Sequence, residues 1–122
     1  MGVVALDHVQ LAAPRGCEDR ARWFFGDLLG LAEIEKPEPL RERGVVWFAV
    51  GRQQLHFGVS EHFVPAVKAH PAFRIDAGEL DALAERLSAA GIEVQWDDSL
   101  AGTRRFYMED PWGNRVELMT SS

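Results

Sequence analysis

Short runs in which apolar and polar residues alternate recur along the chain and predict β-strands. In ALDHVQLAA, apolar Val9 and Leu11 alternate with polar His8 and Gln10. In QQLHFGV and NRVELMT, a histidine and a glutamate stand between apolar neighbours. Since successive side chains of a strand point to opposite faces, each run predicts one face in a core and a second face that is either wet or lines a site.

Two segments with helical spacing separate groups of these strands. In the first segment, Gly30 is the predicted C-terminal cap of a helix whose apolar stripe is Ala21, Phe24, Leu28 and Leu29. In the second, Asp76 and Glu79 predict a capping box, and Gly91 the end, of a helix with the stripe Leu80, Leu83, Ala84 and Leu87. The chain therefore contains two amphipathic helices among many short strands.

The order of these elements repeats. Each half reads strand, helix, then two or three strands: GVVWFAVG and QQLHFGV, split near Gly51, complete the first half, and IEVQW, TRRFYMED and NRVELMT complete the second. Since no linker or low-complexity stretch separates the halves, we expect a single domain over residues 1–122. Its two modules cover about residues 1–60 and 68–122.

Four side chains that can bind a metal lie at matching points of the two modules. From His8 to His70 is 62 residues, and from His56 to Glu117 is 61. Within the modules, His8 to His56 is 48 residues and His70 to Glu117 is 47. If the two sheets curl towards each other, the faces that carry these residues converge on one cavity. We therefore interpret His56 and Glu117 as residues that face a site.

Composition narrows the classes of function. The 122 residues are 47% hydrophobic and 26% charged, as in ordinary soluble domains. A net charge of −6 without a Lys/Arg cluster argues against nucleic acid and anionic membranes as partners. No apolar run has the length of a membrane span and no signal-peptide pattern opens the chain. The single cysteine, Cys17, cannot form an internal disulfide, which suits a cytoplasmic protein.

Three segments resemble the vicinal oxygen chelate superfamily, which includes glyoxalase I, bleomycin- and fosfomycin-resistance proteins and extradiol dioxygenases. They are LDHVQL, HPAFRIDAGELDALAERLSAAGIEV and RRFYMEDPWGNRVELM, and DPWGNRVEL is the most specific element. The resemblance covers nearly the whole chain. It implies an α+β fold of two βαβββ modules, which form a cupped, mostly antiparallel sheet around a central cavity.

The resemblance also implies a metal site. His8, His70 and Glu117 fall on the metal-ligand positions, and His56 falls at or beside the fourth, where glyoxalase I enzymes usually have glutamate. Gln54, on the same face, is the alternative at that position. Three imidazoles and one carboxylate suit a divalent Fe, Mn, Ni, Co or Zn ion. The resulting formal charge of +1 favours an anionic ligand with two adjacent oxygens.

Further residues and several functions remain open on sequence alone. Arg74, Arg105 and Tyr107 are candidates for substrate binding, and Glu117 for catalysis. The loops KPEPLRERG and QWDDSLAGT are expected to carry specificity residues. The leading hypothesis is a glyoxalase-like lyase or isomerase. The alternatives are a non-catalytic small-molecule binding or antibiotic-resistance protein and an extradiol dioxygenase-like oxidoreductase.

Assembly is also left open. A cupped sheet exposes edges and apolar surface, which predicts a homodimer. The four ligands could meet within one chain or across such a dimer.

Overall fold

Eight strands form two four-stranded sheets, one in each half of the chain, in a computed structural model that describes residues 2–43 and 45–121. The chain divides into two units, Met1–Val64 and Pro65–Ser122. The boundary lies in the segment between the two predicted modules. Residue 44, the first of the strand-like run GVVWFAVG and the last of the loop KPEPLRERG, lies outside the described residues, as do residues 1 and 122.

The first unit contains β1 (His8–Ala13), β2 (Ala32–Ile34), β3 (Trp47–Val50) and β4 (Gln53–Val59). The strand order is β1-β4-β3-β2, with β1 parallel to β4 and the other pairs antiparallel. Helix α1 (Glu18–Ala21) continues directly as a π-helix over Arg22–Leu28, and a 3₁₀ helix covers Glu38–Arg43. The hairpin predicted near Gly51 is present, between β3 and β4.

The second unit repeats this plan with β5 (Ala72–Arg74), α2 (Leu80–Ala89), β6 (Gln95–Asp97), β7 (Thr103–Glu109) and β8 (Arg115–Ser121). Its strand order, β5-β8-β7-β6, again has one parallel pair, β5 with β8. Each unit therefore reads βαβββ. The α+β class and the pair of βαβββ modules are confirmed.

The buried residues of the first helix differ from the predicted apolar stripe. Ala21 and Phe24 are fully buried, but so is Phe25, while Leu28 and Leu29 are only partly buried. The cause is the wider turn of the π-helix, in which each backbone hydrogen bond joins residues that are five apart. One such bond runs from the Leu29 N–H to the Phe24 carbonyl at 3.1 Å. Widening the turn brings two adjacent phenylalanines onto the core face.

The predicted capping box of the second helix is wrong. The helix begins at Leu80, and Glu79 is its N-cap, without a side-chain capping bond. The backbone already turns before the helix, because the Glu79 N–H donates to the Asp76 carbonyl at 2.9 Å. The end is as predicted: Gly91 has φ +85° and follows the last turn. No helix in the described ranges is both long and apolar enough to span a membrane.

Each helix covers one face of its own sheet. In the first unit, the Phe25 ring packs 5.1 Å from Phe57 and 6.2 Å from Phe48, centre to centre. In the second unit, the buried residues of α2 and the strands include Leu80, Leu87, Phe106, Val116 and Leu118. The helix-covered face is therefore the apolar one, which leaves the opposite face of each sheet for polar side chains.

We expect Phe25→Ala to lower the free energy of unfolding by about 3–5 kcal/mol, since it removes a fully buried ring from a packed aromatic cluster. Urea denaturation followed by circular dichroism measures this loss. Val3→Ala is the control, because Val3 is 95% exposed and its truncation changes stability by no more than about 0.5 kcal/mol. Equal effects of the two substitutions would contradict the described core.

Candidate functional site

The polar face of each sheet holds one buried, chemically active side chain. His56 on β4 and Glu117 on β8 are each only 5% exposed. Their neighbours on either side, Leu55 and Phe57 in one strand and Val116 and Leu118 in the other, belong to the cores. The alternation read from the sequence is therefore correct, and the polar faces are not simply wet.

Strand register places His56, rather than Gln54, at the position that corresponds to Glu117. In the parallel pair of the first unit, His56 lies opposite Gln10, two residues after His8. In the second unit, Glu117 lies opposite Ala72, two residues after His70. Gln54 lies opposite His8 itself. In both modules a histidine thus precedes, by two residues, the residue that pairs with the last-strand ligand candidate. His8 lies in β1, whereas His70 lies just ahead of β5 and not in the strand that the sequence predicted for it.

His70 and Glu117 are in direct contact. The Nε2 atom of His70 lies 2.9 Å from Oε1 of Glu117. The other ring nitrogen, Nδ1, lies 2.8 Å from the backbone carbonyl of Lys68. Because a carbonyl oxygen can only accept, Nδ1 carries the proton of that bond. Nε2 is therefore the nitrogen of His70 that remains for a ligand role.

This contact needs a proton or a metal ion between its two atoms. A carboxylate oxygen and an unprotonated imidazole nitrogen both present lone pairs, so they lie 2.9 Å apart only with a proton or a metal ion between them. Two donor atoms at a right angle, each about 2.1 Å from a common ion, would lie about 3.0 Å apart. The spacing of the pair therefore fits two adjacent ligands of one divalent metal. A metal-bound histidine usually donates its other ring N–H to a carbonyl or carboxylate, as Nδ1 of His70 does here.

Arg105 balances the charge of the buried carboxylate. Its Nη1 atom lies 3.6 Å from Oε2 of Glu117, and its Nη2 donates to Asp97 at 3.2 Å. Its Nε is buried and has no hydrogen-bond partner in the part of the chain that the structure describes. The guanidinium of Arg105 therefore forms an ion pair with the far oxygen of Glu117 and retains the Nε–H as a donor for a further acceptor.

The other predicted substrate-binding residues are placed differently. Tyr107 lies opposite Glu117 in the β7–β8 register, and its ring meets His70 edge-on at 5.5 Å. The guanidinium of Arg115 covers the same ring at 3.9 Å. Tyr107 and Arg115 also line a cavity of about 660 Å³, but His70 and Glu117 do not. Arg74 is exposed on β5, opposite Met119, which makes it the least enclosed of the three.

His8 has a partner that sequence reasoning missed. The Nδ1–H of His8 donates to the carboxylate of Asp7 at 2.9 Å, which leaves Nε2 of His8 free. A carboxylate that orients a histidine in this way is a common arrangement around metal ligands. The sequence did carry the signal, an acidic residue directly before the histidine, although adjacent residues in a strand ordinarily face opposite ways.

His56 lies in an aromatic stack. Its ring is 3.6 Å from Trp47, with 5° between the planes, and 4.2 Å from His8, with 19° between them. Its Nε2–H donates to Oε1 of Gln54 at 2.8 Å. Burial, followed by the nearby charge of His8, lowers the pKa of His56 below its ordinary value, which favours the neutral ring. Nδ1 of His56 is then the nitrogen with a lone pair.

The structure therefore brings the four ligand candidates together in two pairs, His8 with His56 and His70 with Glu117. Within residues 2–43 and 45–121, no three side chains of the His, Cys, Asp and Glu types are grouped so as to hold a metal ion. The joining of the two pairs around one ion stays a prediction.

The turn after β7 fixes the chain ahead of His70. The carboxylate of Asp110 accepts from the Asn114 N–H and side chain, each at 2.8 Å. Asn114 is 1% exposed, and its Oδ1 accepts from the Ala66 N–H at 2.9 Å. The sequence indicated a turn at Asp110-Pro111-Trp112-Gly113, but nothing in it indicated the bond to Ala66, 48 residues away.

Comparison with known proteins identifies the family. The model of the Glyoxalase/Bleomycin resistance protein/Dioxygenase superfamily matches residues 5–118. The chain belongs to this superfamily. It is also similar to the crystal structure of a glyoxalase family protein from Bacillus anthracis, with 46% identity, 98% of this chain and 97% of that chain covered, and a TM-score of 0.93. The resemblance read from the sequence is confirmed.

More distant members of the superfamily share the fold. The lactoylglutathione lyase of Agrobacterium tumefaciens is 25% identical, with coverage of 98% and 96% and a TM-score of 0.74. The fosfomycin resistance protein FosX of Listeria monocytogenes is 20% identical, with coverage of 98% and 95% and a TM-score of 0.79. No curated protein matches the chain.

We expect Asn114→Ala to destabilise the protein by about 2–4 kcal/mol, because it removes the side-chain partner of Asp110 Oδ2 and the acceptor of the Ala66 amide. Hydrogen exchange measured by NMR should show lost protection at the Ala66 amide before other amides of the second unit. Gln95→Ala, at an exposed position of β6, is the control. Unchanged protection of Ala66 in Asn114→Ala would rule out the described bond.

Proposed function

We propose that the protein is a divalent-metal-dependent enzyme of the glyoxalase-like group, with lyase or isomerase chemistry on a small molecule that carries adjacent oxygens. The observation that carries this proposal is the pair of His70 Nε2 and Glu117 Oε1, 2.9 Å apart, with the second ring nitrogen already bonded to a carbonyl. Membership of the superfamily supports it. So does the 25% identity to a lactoylglutathione lyase over nearly the whole chain.

The proposed ligands of the ion are His8, His70 and Glu117, with His56 as the fourth. His8 and His70 each have Nδ1 bonded to an acceptor, so each offers Nε2. Three imidazoles and one carboxylate fit a divalent ion of the Fe, Mn, Ni, Co or Zn type. Such an ion would polarise the oxygens of the substrate as a Lewis acid and hold them in place.

The chain's own residues supply orientation and proton transfer. Glu117 is the proposed catalytic group, since it is a buried carboxylate whose oxygen faces a histidine, whereas Asp7 beside His8 is exposed. It could accept a proton from the carbon next to the substrate oxygens. Arg105 would hold the far oxygen of Glu117 or an anionic group of the substrate. Tyr107, two residues after Arg105 on β7 and paired with Glu117, would be a second contact, and Arg74 a more peripheral one.

His56 stands where glyoxalase I enzymes usually have glutamate, and this difference affects the type of substrate that the site would favour. A neutral imidazole in place of a carboxylate leaves one more positive charge on the loaded site. An anionic ligand with two adjacent oxygens, such as an enediolate, a catecholate or a phosphonate, is therefore favoured over a neutral one. With one obvious carboxylate base, the site fits proton transfer or group addition rather than the two-carboxylate mechanism of glyoxalase I.

Metal content tests the proposal directly. We expect about one divalent transition metal per binding site in untagged protein, measured by elemental mass spectrometry after reconstitution. His8→Ala and Glu117→Ala should each lose the metal, since each removes a ligand. His62→Ala and Glu85→Ala are matched controls at exposed positions and should retain it.

Either result changes the assignment. Retention of the metal in Glu117→Ala would mean that the ion lies elsewhere. Wild-type protein without metal after reconstitution would overturn the enzyme proposal and leave a non-catalytic binding protein of the bleomycin-resistance type. A loaded site would be screened with α-ketoaldehydes, catechols and fosfomycin.

Asp7 provides a second test of the ligand assignment. We expect Asp7→Ala to weaken metal affinity about tenfold, the lower end of the range for partners of ligating histidines, because Asp7 is itself exposed. Competition with a chelating dye measures the affinity. Asp27→Ala, an exposed acidic residue outside the site, controls for the loss of one negative charge. An equal loss in the two variants would contradict a specific role for Asp7.

A further inference from the structure

Arg105 lies between two carboxylates on the polar face of the second sheet. It belongs to β7 and stands directly opposite Asp97 of the neighbouring strand β6. Glu117, on the neighbouring strand β8, pairs with Tyr107 and is therefore diagonal to Arg105. The Cβ atoms of directly opposite residues are about 4.5–5.5 Å apart, and diagonal neighbours are still within reach of long side chains. The arginine can therefore reach either carboxylate.

The guanidinium of Arg105 forms its hydrogen bonds on the Asp97 side. Its Nη2 donates to Oδ2 of Asp97 at 3.2 Å and to Oγ of Ser99 at 3.4 Å. Its Nη1 lies 3.6 Å from Oε2 of Glu117, which is longer than an ordinary hydrogen bond. The guanidinium thus forms an ion pair with Glu117 without a hydrogen bond to it.

The Nε–H of Arg105 indicates that Glu117 alone would hold the guanidinium differently. Nε is buried, and no residue that the structure describes accepts a hydrogen bond from it. A buried donor without an acceptor is costly. Arginine and a carboxylate in close contact frequently form two parallel N–H···O bonds. A closer approach to Glu117 could therefore satisfy Nε–H, yet Arg105 does not make it.

Electrostatic attraction also favours Glu117 as the partner of Arg105. The side chain of Glu117 is 7% exposed, whereas that of Asp97 is 30% exposed. Opposite charges attract more strongly where less water surrounds them. Something must therefore restrain the guanidinium on the other side. Asp97 is suited to do so, because the Ser99 N–H donates to its Oδ1 at 2.9 Å and leaves Oδ2 for Arg105.

We propose that Asp97 is a positioning residue that keeps Arg105 from closing on Glu117 and thereby preserves the affinity of the site for a divalent metal ion. A guanidinium bonded twice to Glu117 would compete with the ion for the lone pairs of the carboxylate. Held by Asp97, Arg105 compensates for the buried charge and leaves those lone pairs available. The inference rests on the proposed function and assigns a role to the loop QWDDSLAGT, in which the sequence predicted specificity residues.

The metal-free protein tests the position of Arg105. The signal of its Nε–H is observed by ¹⁵N NMR and is assigned from its loss in Arg105→Gln. In Asp97→Ala, we expect this proton to donate to Glu117, so that its signal moves downfield from the wild-type position. Asp98→Ala is the matched control, because Asp98 is an exposed neighbour in the same loop, and it should leave the signal unchanged. An unchanged signal in Asp97→Ala would overturn the proposed restraint.

Cobalt(II) affinity, measured by competition with a chelating dye, tests the consequence for the metal site. Asp97→Ala should weaken binding about tenfold, the lower end of the range for residues that support metal ligands. Asp98→Ala removes the same charge from the adjacent position and should change the affinity little, since salt screens exposed charges. In the Arg105→Gln background, no guanidinium can close on Glu117. Asp97→Ala should then change the affinity by less than about twofold, as expected for substitutions that no longer interact.

The outcomes separate this inference from the proposed function. Thermal unfolding first confirms that each variant is folded. An equal loss of affinity in Asp97→Ala and Asp98→Ala, or an equal effect of Asp97→Ala with and without Arg105, would overturn the positioning role while the metal site stands. If the wild-type protein binds no cobalt, the proposed function fails, and the role of Asp97 in metal affinity fails with it. The Nε–H signal then still decides whether Asp97 holds Arg105.

Discussion

The buried carboxylate of Glu117 is the constraint on which the second unit depends. A charged group is stable under a sheet only when other groups compensate for the lost water. Here an imidazole faces one oxygen at 2.9 Å and a guanidinium approaches the other at 3.6 Å. The guanidinium is in turn bonded to Asp97. These contacts also fix the carboxylate in one orientation, which is the property that a metal ligand or a proton acceptor requires.

The two units place different residue types at the same register position, His56 in the first and Glu117 in the second. The second unit places an ionic network around its last-strand ligand candidate, whereas the first stacks two rings, Trp47 and His8, on His56. A neutral imidazole loses less on burial than a carboxylate, so it needs packing and one amide partner rather than a counter-charge. The exchange of glutamate for histidine at this position is therefore accompanied by aromatic neighbours, and the positive charge of a bound ion would be less fully neutralised.

Periodicity and spacing predicted much of the fold and the strand positions of His56 and Glu117. Alternation in the strands correctly separated the core face of each sheet from its polar face. The repeat distance correctly identified His56 and Glu117 as corresponding positions of the two modules. The sequence did not predict contacts that depend on backbone geometry, such as the bond from His70 to the Lys68 carbonyl. It also missed the π-helical turn that buries Phe25, because the i+3 and i+4 pattern assumes an ordinary helix. The capping box failed for a related reason: the backbone before Leu80 was already turned by its own hydrogen bond.

The parallel pairing of first and last strands has a consequence for how the protein folds. In each unit, the ligand candidates come from the two ends of the module, and His8 and His56 are 48 residues apart in the chain. Pairing strands so distant in sequence is entropically costly and is expected late, after local hairpins have formed. Neither ligand pair then exists in a partly folded module. An ion that binds such pairs would bind the folded module alone, so the free energy of unfolding would rise with the concentration of that ion.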